Sequence, residues 1–277
     1  MQYKVSIKRK CYLLSVLLMT VWLTGCVQEE FESTPSPAGN GIRFTLTVPD
    51  VNLPSVSSRT MTGTGTAKKE DEIETVDILV FDMSKTPAVY LECVSATGVT
   101  QDLADNSTVS FSAVLSPTTA STCIVVVANK ELDNIVSGFT KGATTKVEAM
   151  EKMLHTQTGK WLADGSTTGG YTRIPMYGEK VISKITPSMD PITGINMKRM
   201  LARIDIRNNS ATSNFTVEEV YLANYNTTGY IAPAWNTNGQ VTDPVPDTPV
   251  LPAGSGKMTE EGDAILYSVN GNTPYDG

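Results

Sequence analysis

Apolar and polar residues alternate along several short stretches of this sequence, which is the pattern of β-strands that bury one face. The clearest stretch is residues 42–48. Its apolar residues stand at every second position: Ile42, Phe44, Leu46 and Val48. Residues 73–82 and 123–128 are instead almost continuously apolar. Such runs predict central strands covered on both faces, so the chain should contain at least one well-buried sheet.

Weaker strand patterns continue through the chain, at residues 89–95, 108–115, 180–186, 194–197, 202–207, 215–224 and 264–270. Helical spacing occurs in two places. Residues 144–155 carry apolar residues three and four apart around Met150, with Lys146 expected to face solvent. Residues 130–136 predict a shorter helical turn. Many short strands with one or two short helices predict a mainly β fold of stacked antiparallel sheets, arranged as two tandem β-sandwich domains.

Three segments interrupt these patterns. Residues 50–69 contain one proline, three serines and two glycines without an apolar period, which predicts a long, exposed, protease-accessible loop. Residues 159–172 predict a second loop, rich in glycine and threonine. Four prolines lie between residues 237 and 256, and prolines exclude a central strand there because they cannot donate to the hydrogen-bond ladder.

The N-terminus has the layout of a cleavable signal peptide. Four basic residues among the first ten precede an apolar run at residues 12–23, which is too short for a membrane-spanning helix. The run ends in Leu23, Thr24, Gly25 and Cys26. This tetrad resembles the lipobox of bacterial lipoproteins: an apolar residue, two small residues for the signal peptidase, and a cysteine whose thiol is acylated. A signal peptide ending by chance beside a cysteine is the alternative, and the fit at all four positions favours the lipobox.

We therefore predict that residues 1–25 are removed and that Cys26 carries the lipid. Two or three fatty chains hold a protein durably to a membrane, whereas one chain does so only marginally. Residues 26–40 predict a flexible tether, and their Glu29 and Glu30 resemble the surface-export signal of Bacteroidales lipoproteins. The expected location is the outer membrane and cell surface, with the precursor attached to the membrane through Cys26.

Composition narrows the class of protein further. The 277 residues carry a net charge of −7, and clusters of lysine and arginine are lacking beyond the signal peptide, which disfavours nucleic acid as a partner. Beyond the signal peptide we expect no second membrane segment. Of four cysteines, only Cys93 and Cys123 lie outside the signal peptide and lipobox. They could form a disulfide in an oxidising compartment, but two buried free thiols are the favoured interpretation.

Few residues could carry enzyme chemistry. The chain has one histidine and no nucleophile elbow, metal-ligand cluster or phosphate-binding glycine loop, so we predict no catalytic residues, no metal and no cofactor. His155 is expected to end the helix at residues 144–155. The acidic residues 70–72 lack the spacing of a calcium loop and predict a solvated charge run.

Four aromatic residues raise the question of a carbohydrate-binding platform. They are Tyr221, Tyr225, Tyr230 and Trp235. In a β-sandwich, such residues more often pack in the core or within loops, and packing is the favoured interpretation here.

The order of features resembles the fimbrillin family of Bacteroidales fimbriae. The features are the lipobox, the strand at 42–48, Ser58-Arg59-Thr60, residues 73–82 (IETVDILVFD), residues 123–132 (CIVVVANKEL), residues 174–179 (IPMYGE) and residues 198–206 (KRMLARIDI). The resemblance implies transthyretin-like β-sandwich domains at residues 41–200 and 201–277. The family's second domain runs further than this chain, so the second domain is expected to be incomplete.

The resemblance also implies a function: a structural subunit of a surface fimbria involved in adhesion. A trypsin-like protease would cut between Arg59 and Thr60, and Arg59 is the only basic residue in residues 48–67. The strand at 42–48 could then leave, and a strand from another subunit could take its place by pairing along its main chain. The expected partners are other fimbrial subunits, in the fimbrium after processing, and a ligand on a host or bacterial surface.

Two other functions stay open from the sequence. One is an anchor or tip subunit of the same family, which keeps its lipid and is never cut. The other is a surface lipoprotein that binds glycans, for which an exposed row of aromatic side chains would be the structural mark.

Overall fold

The computed structural model describes residues 41–48, 71–102, 108–157, 173–201, 219–223, 225–242, 250–253, 255 and 265–268. Several predicted features lie outside the described residues: the signal peptide at 1–25 with Leu23, Thr24 and Gly25, the lipidation site Cys26, the tether to residue 40, Arg59 and Thr60 with most of their loop, the loop at 159–172, and the strand at 202–207.

The described chain is mainly β, as the alternation predicts. The strands are β1 Ile42–Thr47, β2 Val76–Asp82, β3 Val89–Ser95, β4 Thr97–Gln101, β5 Thr108–Ala113, β6 Thr122–Ala128, β7 Leu154–Thr156, β8 Met176–Ile182, β9 Ile192–Asn196, β10 Lys198–Arg199, β11 Glu219–Leu222, β12 Thr228–Tyr230 and β13 Ile265–Ser268. The helices are α1 Asp133–Val136 and α2 Lys146–Lys152.

Two larger sheets make up most of the described fold. Sheet A has the strand order β4-β5-β1-β9, and sheet B has the order β10-β8-β6-β2-β3. Strands β2 and β6 are central in sheet B, and every residue of β6 is buried. This position explains their continuous apolar sequence, because both faces of each strand are covered.

Two apolar cores lie on opposite faces of sheet B. The first fills the space between sheets A and B, and it includes Phe44, Val80 and Val126. The second lies under helix α2 and includes Leu79, Val125 and Met150 along with other residues. Alternate residues of β2 and β6 therefore enter different cores, as the period of two in a strand requires.

Helix α2 is shorter than predicted. Thr145 begins it with a capping box, in which its hydroxyl accepts from the Glu148 amide while the Glu148 carboxylate accepts from the Thr145 amide. Met153 leaves the helical conformation, with φ −79° and ψ 78°. His155 therefore lies in strand β7 and not at a helix end, because β7 pairs with β12. The prediction that His155 ends a helix was wrong.

Other boundaries differ from the prediction because strand pairing, and not local sequence, sets them. Strand β8 occupies 176–182 and not 180–186, since its register with β6 begins at Met176 opposite Ala128. Strand β4 was not predicted from the sequence. It contains Gly98 at φ 63° and pairs with β5 as an edge strand across a register shift.

The part of the chain assigned to a second domain contributes two kinds of structure. Strands β11 and β13 form a two-stranded antiparallel sheet. Strand β12 instead pairs with β7, and Ile231 is buried in the core under α2. Residues 225–242 thus complete a core built mainly from earlier elements. The domain boundary near residue 200 stays a prediction.

Candidate functional site

Strand β1 is an interior strand of sheet A. It runs antiparallel to β5 on one side and parallel to β9 on the other. The four aligned apolar side chains are 0–4% exposed: Ile42, Phe44, Leu46 and Val48. On the opposite face Arg43 and Thr47 are exposed. The predicted strand is therefore confirmed, and its buried side chains form part of the core between the sheets.

The contacts of β1 with β5 are in continuous register. Phe44 lies opposite Phe111, and the two rings stack with centroids 5.0 Å apart and planes 7° apart. Leu46 lies opposite Val109, and Ile42 lies opposite the small residue Ala113. If β1 were absent, its place would be a groove between β5 and β9, and the β5 wall would present side chains of different size: Val109, Phe111 and Ala113.

The contacts with β9 are interrupted at one point. Phe44 pairs with Ile192, but Leu46 pairs with Ile195, so β9 has one extra residue between these positions. Gly194 lies within this bulge at φ 71°, a conformation that residues with a side chain rarely adopt. The Lys180 ammonium donates to the carbonyl of neighbouring Thr193 and ties the bulge to β8.

The chain continues in the described structure at Asp71, five residues before β2. The Asp71 carboxylate forms an ion pair with Arg199 in β10, and both side chains are largely buried. The Gln101 side chain donates to the Asp71 carbonyl and accepts from the Ile73 amide. Asn129, at φ 58°, donates from its side chain to the Glu72 carbonyl and accepts from the Glu74 amide. We call residues 71–74 with these partners the anchor segment.

The anchor segment corrects the expectation of a solvated charge run at residues 70–72. Glu70 lies outside the described residues, Asp71 is 8% exposed, and Glu72 forms an ion pair with Arg173 at 3.2 Å. Arg173 also contacts Glu74 at 2.7 Å. The arginine partners follow at residues 173 and 199, more than a hundred residues later, which is why local sequence could not reveal them.

A buried polar cluster on the other face of sheet B was also missed. The Lys146 ammonium is 2.6 Å from the Glu179 carboxylate, and the lysine side chain is only 2% exposed. The Tyr177 hydroxyl donates to the same carboxylate oxygen at 2.5 Å, and burial raises the tyrosine's pKa well above its usual value. The expectation that Lys146 faces solvent was wrong, because the first turn of α2 packs against sheet B.

The two cysteines are free thiols, as the favoured prediction states, but only Cys123 is buried, and Cys93 is partly buried. Cys93 in β3 and Cys123 in β6 pair with opposite sides of β2. One strand therefore separates them by roughly 10 Å, beyond the reach of a disulfide. Burial raises the pKa of Cys93 to about 12 and that of Cys123 to about 11, so both thiols stay protonated at neutral pH.

The histidine and the four aromatic residues singled out in the sequence have different surroundings. Burial is the main cause that lowers the pKa of His155, and the positive charge of Lys130 acts in the same direction. Tyr230 and Trp235 pack edge to face with ring centroids 4.9 Å apart, and Trp235 also packs against the core under α2. Tyr221 is 57% exposed and Tyr225 is partly buried.

Among the described residues, no group of three or more His, Cys, Asp or Glu side chains is arranged to hold a metal ion. Likewise, no helix in the described ranges has the length and apolar character needed to cross a membrane.

These observations define a mainly β protein whose interior strand β1 packs in the apolar core between two sheets. The family model for the major fimbrial subunit protein (FimA) matches residues 42–245, most of the chain, so the chain belongs to this family. The resemblance drawn from the sequence motifs is thereby confirmed. The protein is a structural fimbrial subunit of the cell surface and not an enzyme.

Two solved structures from Parabacteroides distasonis are similar to this chain. One is a fimbrial assembly protein, with 10% identity, a TM-score of 0.40, and coverage of 84% of this chain and 78% of the other. The second is a protein for which a cell adhesion role has been proposed, with 16% identity, a TM-score of 0.41, and coverage of 85% and 72%. No curated protein matches the sequence significantly.

Proposed function

We propose that this fimbrial subunit assembles by replacement of strand β1 with a strand from another subunit. The observation that carries the proposal is the position of β1: an interior strand with four buried apolar side chains, followed by a long connection to the anchor segment. A protease that cuts this connection would leave β1 attached to the body of the protein only by noncovalent contacts.

The energy of β1 explains why cutting alone would not start assembly. Full burial of four such side chains contributes roughly 6–12 kcal/mol, at about 1.5–3 kcal/mol each. This is comparable with the whole net stability of a domain, so the strand stays bound until another strand competes for its place. The retained β1 thus keeps the precursor monomeric, and its exit opens a groove with unpaired backbone groups on β5 and β9.

We assign the cut to the bond between Arg59 and Thr60. Arg59 is the only basic residue in residues 48–67, and Lys68 and Lys69 follow it just before the anchor segment, so Arg59 is the first target of a trypsin-like enzyme after β1. The same cut would separate the body of the subunit from the lipid on Cys26. Because residues 26–59 stay associated after the cut, the subunit would leave the membrane and its own blocking strand together, when another strand replaces β1.

Substitution of Arg59 tests the assignment. Limited trypsin treatment of the wild type should give a new N-terminus at Thr60 while residues 26–59 stay associated, and polymer should form once a donor strand is supplied. Arg59→Ala should lose both the new terminus and the polymer. The matched control is Arg43→Ala, which removes an exposed arginine of β1 and should leave the cut after Arg59 intact. Normal assembly of uncut Arg59→Ala would overturn the proposal.

The same experiment separates a polymerising subunit from an anchor or tip subunit. N-terminal sequencing of the surface-exposed protein should find Thr60 in a polymerising subunit. A mature N-terminus upstream of Thr60, with the lipid retained, would instead identify an anchor or tip subunit.

Lipidation is tested separately. Labelled palmitate should enter the wild-type precursor and not Cys26→Ser, because the thiol of Cys26 is the acceptor. Cys93→Ser is the matched control, since that cysteine lies in β3, and it should label like the wild type. Equal labelling of the wild type and Cys26→Ser would refute lipidation at Cys26.

A further inference from the structure

One of the four buried positions of β1 differs chemically from the others. Phe44 stacks directly on Phe111 of β5, whereas Leu46 faces Val109 and Ile42 faces Ala113. The other three buried side chains of the alternation are aliphatic: Ile42 and Leu46 in β1, and Val48 directly after it. Stacked aromatic pairs gain about 0.5–1.5 kcal/mol beyond the area they bury, so this position distinguishes an aromatic residue from an aliphatic one.

Strand β9, the other wall of the groove, also has a distinguishing feature beside Phe44. The β9 bulge at Gly194 lies between the partners of Phe44 and Leu46. An occupant must therefore meet Phe111 on one side and the bulge on the other, within two residues of each other. Both features belong to the part of the protein that stays behind when β1 leaves.

We propose that the Phe111 position selects the incoming strand and sets its register. The proposal rests on strand replacement as the function of β1. The selected partner is an extended segment of another fimbrial subunit that carries an aromatic residue in the place of Phe44, with aliphatic residues two positions before it and two and four positions after it. Phe111 is then a specificity-determining residue for assembly.

Register follows from the same geometry. A slip of one residue turns every apolar side chain of the strand away from the core. A slip of two residues keeps the correct face but moves the aromatic ring opposite Val109 or Ala113, where it loses its stacking partner. It also places the wrong pair of residues beside the β9 bulge. A strand with one aromatic residue therefore has one preferred register.

Competing peptides test the selection on the full chain. The protein is cut after Arg59, and labelled peptides covering residues 40–49 are added in mild urea so that they exchange with the resident strand. Three peptides are compared by fluorescence anisotropy: the native sequence, Phe44→Leu, and the double change Phe44→Leu with Leu46→Phe. The last peptide has the composition of the native one with the ring displaced by one apolar position.

The native peptide should bind most tightly. Phe44→Leu should weaken binding about two- to tenfold, the range that a stacked aromatic pair supports. The double change should weaken binding at least as much, although its composition is native. In protein carrying Phe111→Leu, the difference between the native and Phe44→Leu peptides should disappear, as in a double-mutant cycle.

The outcomes separate the two proposals. If all three peptides bind wild-type protein equally, selection at Phe111 is overturned and strand replacement stands. If the native peptide does not exchange into the cut protein under any condition that keeps it folded, strand replacement itself is overturned, together with the selection that rests on it. The peptide comparison on wild-type protein needs no folding-sensitive variant.

Discussion

Lys146 and Lys152 belong to the same short helix, α2, but differ greatly in exposure to solvent. Lys146 is 2% exposed and its ammonium contacts Glu179, whereas Lys152 lies exposed in the last turn of α2. Lysine is rarely buried unless it is paired, because transfer of an unpaired charge from water into a protein core is costly. The carboxylate of Glu179 supplies that pairing, and the same carboxylate also accepts a hydrogen bond from the Tyr177 hydroxyl.

Substitution of the two lysines should therefore have unequal effects. Lys146→Ala should lower the free energy of unfolding by about 3 kcal/mol, because it leaves the Glu179 carboxylate without its cation and removes buried packing. Lys152→Ala should change it by less than about 0.5 kcal/mol, as exposed substitutions usually do. Urea unfolding followed by circular dichroism measures both. Equal effects would mean that the buried ion pair does not matter for stability.

His155 gives stability an expected pH dependence. Its folded-state pKa is lowered, chiefly by burial and further by Lys130, with a partly opposing hydrogen bond from Gln157. A histidine with a depressed folded pKa binds its proton more readily in the unfolded chain, whose pKa is about 6.5. The contribution of neutral His155 is therefore present above pH 6.5 and is lost as the pH falls.

The prediction is a decline in the urea midpoint between pH 7.5 and pH 5 that His155→Gln reduces. Glutamine keeps a polar side chain of similar reach but does not titrate. At pH 7.5 His155 is neutral, so its titration contributes to neither protein. The two proteins are therefore compared by the slope of the urea midpoint against pH. Identical slopes would show that His155 does not sense pH in this range.

At the scale of elements, the anchor segment fixes the start of β2. Its side-chain and backbone contacts reach β4, β10 and the residue after β6. If β1 leaves after a cut at Arg59, the first described residue of the remaining chain is Asp71, and this residue is held on two sides. The loss of structure should therefore stop at the anchor segment, so that β2 and sheet B keep their register while the groove is open.

Two carboxylates in the anchor segment provide a matched test. Asp71→Asn should destabilise the protein by about 2 kcal/mol, because it removes the negative charge from the ion pair with the largely buried Arg199. Glu74→Gln should cost less than about 1 kcal/mol, since the Glu74 side chain is 60% exposed and exposed ion pairs contribute little. Hydrogen exchange at β2 amides in cut protein should rise only for Asp71→Asn. Protection unchanged by that substitution would rule out the anchoring role.

At the scale of the whole molecule, residues 225–242 join the core that earlier elements build. Ile231 is 1% exposed, and its amide donates to the Met153 carbonyl at 3.0 Å. Gly239, at φ 74°, lies so close to Lys146 that an added Cβ would be 3.2 Å from the lysine side chain. This segment and the core under α2 should therefore unfold together, whichever domain the segment is assigned to.

Ile231→Ala should lower the free energy of unfolding by about 2–5 kcal/mol and keep a single transition by fluorescence and circular dichroism. Val250→Ala is the control, because Val250 is 53% exposed and its truncation should have little effect. Two separate transitions, of which Ile231→Ala shifts only the one at lower urea, would show that residues 225–242 belong to an independent unit.

The sequence by itself determined the features that depend on neighbouring residues. The alternation of Ile42, Phe44, Leu46 and Val48 predicted β1 and its buried face, because a strand repeats every two residues. The continuous apolar runs predicted β2 and β6 as central strands, because a strand covered on both faces needs apolar residues at every position. Motif order identified the fimbrial subunit family, and the sequence contributed the predictions about Cys26 and Arg59.

Only the tertiary structure decided which distant residues meet. The ion pair of Asp71 with Arg199, the pairing of Lys146 with Glu179 and the stack of Phe44 on Phe111 all join residues far apart in sequence. No local period encodes such contacts, since they depend on strand order and register across the sheets. The place of His155 in β7 follows from its pairing with Gly229 of β12, 74 residues later. Long-range pairing of this kind overrides local helical spacing.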